Sequence, residues 1–255
     1  MLLPIGDDNR DRKIFPIVNY MLIAINILVF IFLQQAGANL YFTFAYAAVP
    51  AEILTGRDIV TPDQVLIDPY TGNSFPMPGL QVTGVSVFLT LLTSMFLHGG
   101  WAHLGGNMLF LVIFGDNLEN AMGHRNYLVF YLLCGVLAGL SHVFTTFILG
   151  QDPLIPVMGA SGAISAVLAG YMVLFPHKKV HVWLLFFIIS VPALIVVGLW
   201  FIFQVVNGLG TLGGQEAGGV AYAAHIGGFI FGLLLVRKFA KKFLLLRSRS
   251  SGRFR

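Results

Sequence analysis

The sequence is poor in charged residues. Asp, Glu, Lys and Arg make up 10% of the 255 residues, whereas hydrophobic residues make up 57%. A soluble globular domain is about 25% charged, so these polar groups are too few to cover a water-facing surface. A disordered chain is excluded as well, because it combines few apolar residues with many charges. The composition therefore indicates a membrane protein with several spans.

Cysteine is scarcer still, since Cys134 is the single one and lies in an apolar stretch. One cysteine excludes an intramolecular disulfide framework and a cysteine-based metal cluster, and we expect it to fill space in the core. The net charge of +4 is modest. In a membrane protein such a basic excess marks cytoplasmic flanks, so we predict no nucleic-acid partner.

Six apolar runs approach the roughly 20 residues that cross a bilayer. They cover residues 14–35, 101–121, 126–149, 158–175, 180–206 and 219–239. The preceding residues 1–13 contain three Asp beside three basic residues. Because a signal peptide has a basic start and a shorter apolar run, the first span is predicted to be an uncleaved anchor. The predicted fold is an all-α polytopic membrane protein with six transmembrane helices.

The polar segments divide the chain into an N-terminal part (1–13), a six-helix membrane domain (14–239) and a basic tail (240–255). Within the membrane domain, residues 37–85 form the first loop, which is long enough to suggest a function. Residues 85–98 are apolar but short, which indicates an interfacial element.

Basic residues predict the orientation, because they concentrate on the cytoplasmic side. If both termini are inside, Arg57 alone lies outside. The basic residues then inside are Arg10, Arg12, Lys13, Arg125, Lys178, Lys179, Arg237, Lys238, Lys241, Lys242, Arg247, Arg249, Arg253 and Arg255. The opposite orientation would reverse this distribution, so an N-in, C-in topology is predicted. The basic tail would also attract anionic lipid.

Four polar residues near the outer ends of spans two, four and six are candidate site residues, since polar groups in a bilayer are costly and often functional. They are His103, Asn107, Ser161 and His225. At 1.5 Å per residue all four lie roughly 5–10 Å below the outer boundary. His103 and Asn107 are four residues apart and share a helix face.

Stripes of small residues predict that spans four and six pack closely. The stripes comprise Gly162, Ala166 and Gly170 in span four and Ala224, Gly228 and Gly232 in span six. Ser161 and His225 each neighbour a stripe, so a neutral imidazole could take the proton of the serine hydroxyl. All 11 acidic residues lie away from this depth, which predicts a Ser-His dyad with His103 and Asn107 as oxyanion donors.

Each of these residues also has a purely structural explanation. A serine beside glycine usually serves packing, and an intramembrane histidine such as His142 need have no function. His98, His103 and His225 could in principle gather around a metal ion. His98 and His103 are five residues apart, however, and the sequence has no HExxH motif. No metal and no cofactor are predicted.

Together the motifs resemble the rhomboid family of intramembrane serine proteases. The resemblance extends from Met95 to Gly232. It rests on FLHGGWAHLGGNM at 96–108, GDNLE at 115–119, GASGAI at 159–164 and AHIGGFIFG at 224–232. It implies that Ser161 is the nucleophile and His225 the general base.

The resemblance also implies roles for the other residues of these motifs. His103 and Asn107 would be oxyanion donors, His98 would lie at the mouth of the site, and Glu119 would be structural. The fifth span, with Pro192 and the aromatic residues Trp200, Phe201 and Phe203, would be a lateral gate, and residues 207–219 its flexible cap.

Two positions depart from the pattern of the family. The first loop often carries a Trp-Arg pair, but the corresponding residues 88–94 read FLTLLTS. Many members have an aromatic residue four positions after the nucleophile, where this chain has Ser165. The second departure leaves open what holds the imidazole of His225.

The resemblance implies a serine endopeptidase that cleaves transmembrane segments of other membrane proteins near the outer face. Its partners would be transmembrane substrates and the lipid bilayer, and its location the plasma membrane of a prokaryote, as for a six-span bacterial member. An inactive rhomboid-like protein that binds membrane clients is the alternative. A small transporter is a third hypothesis. Against it, no charged residue is predicted at mid-membrane, and the two halves of the sequence show no duplicated pattern.

Overall fold

The computed structural model describes residues 2–67, 72–212 and 221–245. Most of them are helical. The helices are α1 (Ile17–Leu33), α2 (Leu40–Tyr46), α3 (Pro50–Thr55), α4 (Val87–Phe96), α5 (Trp101–Met122), α6 (His124–Ile148), α7 (Ser161–Leu174), α8 (Ala193–Leu212) and α9 (Tyr222–Phe239). The strands are β1 (Leu2–Asp7), β2 (Gln64–Ile67), β3 (Ser74–Met77), β4 (Lys179–Leu184) and β5 (Phe187–Pro192).

Six of these helices, α1, α5, α6, α7, α8 and α9, occupy the six predicted apolar runs. By length and apolar composition, α6, α9 and residues Ala193–Gly210 of α8 could each cross a membrane. Helices α4 and α5 form a pair bent by 80° that could make a fourth crossing. Helices α1 and α7 are apolar but shorter. The predicted membrane protein is therefore supported, while the number of spans stays a prediction.

The prediction was wrong for residues 180–192, which form a hairpin and not the first half of a helix. Strand β4 pairs antiparallel with both β1 and β5, giving a three-stranded sheet in the order β1-β4-β5. Val180 and Val182 are buried on one face, whereas Trp183 is exposed. Alternating β-branched residues favour this period-two arrangement, and mean hydropathy cannot distinguish it from a helix. The fold is thus mostly helical but not all-α.

The predicted first loop has its own structure. It contains α2, α3 and the two-stranded hairpin of β2 and β3. The Ala48 amide donates to the Val157 carbonyl at 3.0 Å, and the Val157 amide returns a bond of 2.8 Å. This pairing attaches the loop to the segment that leads into α7.

Helix α7 is the centre of the bundle, since every residue from Gly162 to Tyr171 is buried. Its small-residue stripe meets that of α9, as predicted. A β-carbon at Gly228 would lie 2.0 Å from the carbonyl oxygen of Gly162, and one at Gly232 would lie 2.6 Å from the Cα of Ala166. The two backbones therefore touch, which only glycine permits at these positions.

Buried polar groups at the end of the bundle away from Ser161 form hydrogen bonds between helices. The carboxylate of Glu119 accepts from the amides of Val18 (3.1 Å) and Asn19 (2.7 Å), at the start of α1. These amides have no acceptor within their own helix. The Asn19 side chain in turn donates to the carbonyl of Leu111 (2.8 Å), in a π-helical turn of α5. Glu119 thus has the structural role that the family resemblance implied.

The segments predicted to lie inside the cell meet at this same end. They are the N-terminal residues, the connection from α5 to α6, the residues that follow α7, and the end of α9. Arg12 donates to Asp116 (2.8 Å), and Lys178 donates to Asp11 (2.8 Å). The side chain of Asn126 donates to the carbonyl of Phe239 at 3.2 Å. The side of the membrane that this end faces is not decided by these contacts, so the orientation stays a prediction. Residues 246–255 of the basic tail lie outside the described residues.

Asp7 joins the sheet to the helices. The Tyr171 hydroxyl and the Asn117 amide (2.8 Å) both donate to its Oδ2 atom. Burial raises the pKa of Asp7 from 3.8 to about 6, assisted by the nearby charge of Asp116 and opposed by the Tyr171 hydrogen bond. An acid whose folded-state pKa is raised binds its proton more tightly when folded, so its ionisation costs stability.

We expect Gly228→Ala to destabilise the fold by roughly 1–3 kcal/mol or more, because the new methyl group overlaps the Gly162 carbonyl. Thermal unfolding in detergent would measure the loss. Gly198→Ala on α8 is the matched control, since no atom of the described residues lies within 4 Å of a β-carbon there. Equal midpoints for the two variants would contradict the close approach of α7 and α9.

We also expect stability to fall as the pH rises from about 4 through about 6, as Asp7 ionises. Asp7→Asn should remove this part of the pH dependence, on the order of 1–3 kcal/mol. Unfolding midpoints between pH 4 and 7 would test it, with the exposed Asp152→Asn as control. A variant profile that parallels the wild type would show that Asp7 does not carry the effect.

Candidate active site

Ser161 is the first residue of α7, and the turn before it is tightly constrained. The Gly159 amide donates to the Ser94 carbonyl at 2.9 Å. Gly159 has a φ of +130°, which side-chain-bearing residues rarely adopt, and a β-carbon there would lie 2.9 Å from the imidazole of His103. Glycine at this position therefore allows His103 to approach the serine turn.

His225 lies on α9 and faces Ser161 across the contact between the small-residue stripes of α7 and α9. Its Nε2 atom is 2.7 Å from the Ser161 Oγ atom. Both residues are half-buried. A hydroxyl that donates to a neutral imidazole nitrogen can lose its proton to that nitrogen as it attacks a carbonyl. The predicted pair is thus brought within hydrogen-bonding distance.

The other ring nitrogen of His225 has a partner that the sequence analysis missed. Its Nδ1 atom is 2.8 Å from the Oε1 atom of Gln204, on α8. Gln204 is 6% exposed. A polar residue in an apolar span is a signal in itself, but the search for an orienting group considered carboxylates alone. The serine and histidine are therefore part of a three-residue hydrogen-bonded chain.

Aromatic residues from two helices flank the imidazole of His225. The ring of Trp200 on α8 is centred 6.1 Å away at an interplanar angle of 35°, and the ring of Tyr222 stands edge-on at 6.4 Å. Ser165, in the place of the family's aromatic residue, donates to the Ser161 carbonyl at 2.7 Å. Aromatic residues of α8 and α9 thus pack beside the His225 imidazole, where many family members have an aromatic residue of α7.

The three remaining predicted residues lie on or next to α5. Asn107 is buried, and its Nδ2 atom has no hydrogen-bond partner among the described residues. His103 is exposed, and its Nδ1 atom accepts from the Gly99 amide at 3.3 Å. Within the described parts of the chain, no hydrogen bond links either residue to Ser161. Asn107 thus has an unused donor.

His98 lies at the bend between α4 and α5, with its ring edge-on to His103 at 5.1 Å. The side chain of Gln34 forms two hydrogen bonds with the His98 backbone. It accepts from the His98 amide (2.9 Å) and donates to the His98 carbonyl (3.0 Å). No group of three or more His, Cys, Asp or Glu side chains in the described segments is placed to hold a metal ion.

A cavity lies beside Ser161, lined in part by Ser94, Met158, Gly159 and Ala224. His142 also lines it, and its Nε2 atom is 3.3 Å from the Thr146 hydroxyl in the same helix. The sequence offered no role for His142. The structure places it at the wall of this cavity, and no hydrogen bond among the described residues joins it to Ser161.

The sequence profile of the Rhomboid domain matches residues 86–242. The chain belongs to the rhomboid family. The rhomboid match contains all five predicted site residues and Gln204, whereas β1 and α1 precede it.

Among similar proteins, "Rhomboid protein 1, mitochondrial" of Saccharomyces cerevisiae is 31% identical over 179 residues, covering 69% of this rhomboid chain and 49% of the yeast protein. The human "Presenilin-associated rhomboid-like protein, mitochondrial" is 27% identical over 177 residues, which cover 63% of this chain and 43% of the human protein. "RHOMBOID-like protein 4" of Arabidopsis thaliana is 34% identical over 145 residues, which cover 57% of this chain and 32% of the plant protein. The matched region spans half the length of these relatives or less.

Proposed function

We propose that this rhomboid protein is an intramembrane serine endopeptidase, which cleaves transmembrane segments of other membrane proteins near the outer face. The observation that carries the proposal is the 2.7 Å contact between the Ser161 hydroxyl and the His225 Nε2 atom. The contact lies within a helical bundle, next to a cavity. Peptide hydrolysis is the reaction that such a pair, held in a membrane domain, is suited to perform.

In this mechanism the Ser161 Oγ atom attacks the scissile carbonyl carbon while its proton passes to His225 Nε2. The resulting tetrahedral oxyanion collapses, the peptide C–N bond breaks, and His225 gives the proton to the departing amine. A water molecule then attacks the acyl-enzyme, losing its proton to His225. When the acyl bond breaks, that proton returns to Ser161 and the second product leaves as a carboxylic acid.

The developing oxyanion needs hydrogen-bond donors. The Asn107 Nδ2 atom is a buried donor that no group in the described part of the chain accepts from. The amides in the first turn of α7 lack acceptors within the helix, and His103 lies against Gly159 in the serine turn. We assign these groups to oxyanion stabilisation, and His98 to support of His103.

The proposal includes six spans, an N-in, C-in topology, transmembrane substrates as partners and the bilayer as environment. The chain is an integral membrane protein. The mitochondrial relatives do not fit the predicted plasma membrane of a prokaryote and lend it no support. A lateral gate at α8 is part of the proposal as well, although residues 213–219 of the expected cap lie outside the described residues.

Purified protein should be labelled at Ser161 by a serine-directed phosphonate and should cleave a model transmembrane substrate. Ser161→Ala should abolish both reactions because it removes the nucleophile. Ser190→Ala, on the exposed strand β5, is the control and should change neither. A folded wild-type protein that neither labels nor cleaves would replace this proposal with the alternative, an inactive rhomboid-like protein that binds membrane clients.

We further expect Asn107→Ala to lower kcat roughly 10²- to 10³-fold, with a smaller effect on KM, because an oxyanion donor acts mainly in the transition state. Initial rates of cleavage would measure this. Asn126→Ala removes an amide at the opposite end of the bundle and should leave kcat unchanged. An undiminished kcat in Asn107→Ala would remove that residue from the mechanism.

A further inference from the structure

We propose that Gln204 is a positioning residue, which holds His225 in the one tautomer that can take the proton of Ser161. This inference rests on the proposed serine protease function, which it deepens. It starts from a contact between three helices, since Ser161 is on α7, His225 on α9 and Gln204 on α8.

The hydrogen-bond chain decides the tautomer. A neutral imidazole has one N–H donor and one acceptor nitrogen. The Gln204 Oε1 atom only accepts, so the Nδ1 atom 2.8 Å away carries the hydrogen. The Nε2 atom is then the acceptor and faces the Ser161 hydroxyl at 2.7 Å. In the other tautomer, Nε2–H would point at the serine and could not act as a base.

An amide suits this position better than a carboxylate would. When His225 takes the proton of Ser161 it becomes a cation with two donors, and the Gln204 oxygen still accepts from Nδ1. Between reactions both groups are neutral, so no unpaired charge is buried in an apolar span. Gln204 therefore supplies orientation without the desolvation cost of an ionised Asp or Glu.

The position of α8 controls this hydrogen bond. The stacked rings of Phe201 and Phe229, whose centroids are 4.0 Å apart, attach α8 to α9 near the site. The opposite face of α8 is exposed and apolar, including Ile202, Phe203 and Val206. Because Gln204 is on neither of the other two helices, any displacement of α8 from α9 lengthens the Gln204–His225 bond and releases the imidazole.

Two near-isosteric variants separate the positioning role from a packing role. Gln204→Met keeps the length of the side chain but removes the acceptor, and should lower kcat and the rate of phosphonate labelling roughly 10- to 100-fold at unchanged KM. Gln204→Glu keeps the acceptor and should retain most of the activity. Its negative charge should stabilise the protonated imidazole and move the acid limb of the pH–rate profile upward by about one unit or more.

Ile202→Met is the control on the exposed face of the same helix, and should match the wild type. Full labelling and cleavage by Gln204→Met would overturn the inference and leave the proposed function standing. If Gln204→Met does not fold, Gln204→Glu decides alone, because an acid limb that does not move would show that residue 204 does not contact His225.

A readout that needs no activity separates the two proposals. In protein with ¹⁵N-labelled histidine, the His225 signal should report hydrogen on Nδ1 in the wild type and a mixture of tautomers in Gln204→Met. A wild-type protein with the Nδ1–H tautomer but no cleavage would refute the protease function alone. A wild-type His225 protonated at Nε2 would refute the role of Gln204.

Discussion

The approach of α9 to α7 is the contact on which the site depends. At Gly228 and Gly232 the two backbones are so close that no side chain fits between them. Water does not drive helices together inside a bilayer, so packing of this kind has to hold them. It fixes the distance between the first turn of each helix, where Ser161 and His225 lie. A hydrogen bond of 2.7 Å tolerates little displacement, so the packing of α9 on α7 fixes the contact between Ser161 and His225.

Polar groups are used differently at the two ends of the bundle. Away from Ser161, Glu119 and Asn19 satisfy amides and carbonyls at helix ends and at a π-helical turn, and they stabilise the fold. Near Ser161, the Asn107 Nδ2 atom is buried and has no partner in the segments that the structure describes. An unpaired buried donor is uncommon in a folded protein, and the proposed oxyanion role would give this donor an acceptor.

Sequence reasoning succeeded where a single local rule was enough. Polar residues in apolar runs pointed to Ser161 and His225, and glycine and alanine every four residues pointed to the faces that join them. It failed where two structures share one composition. Residues 180–192 are as apolar as a span, yet Val180 and Val182 alternate into the core as a strand. Gln204 was missed because its importance comes from a neighbour 21 residues away, which no local pattern reveals.

The sequence by itself determined the class of protein and singled out the candidate groups, because hydropathy and polar residues within apolar runs depend on local composition alone. Only the tertiary structure decided which group contacts the Nδ1 atom of His225, where the fifth helix begins, and how the N-terminal strand joins the bundle. Each of these is a pairing between distant segments. Such pairings depend on the shapes of surfaces that exist only once the helices have packed.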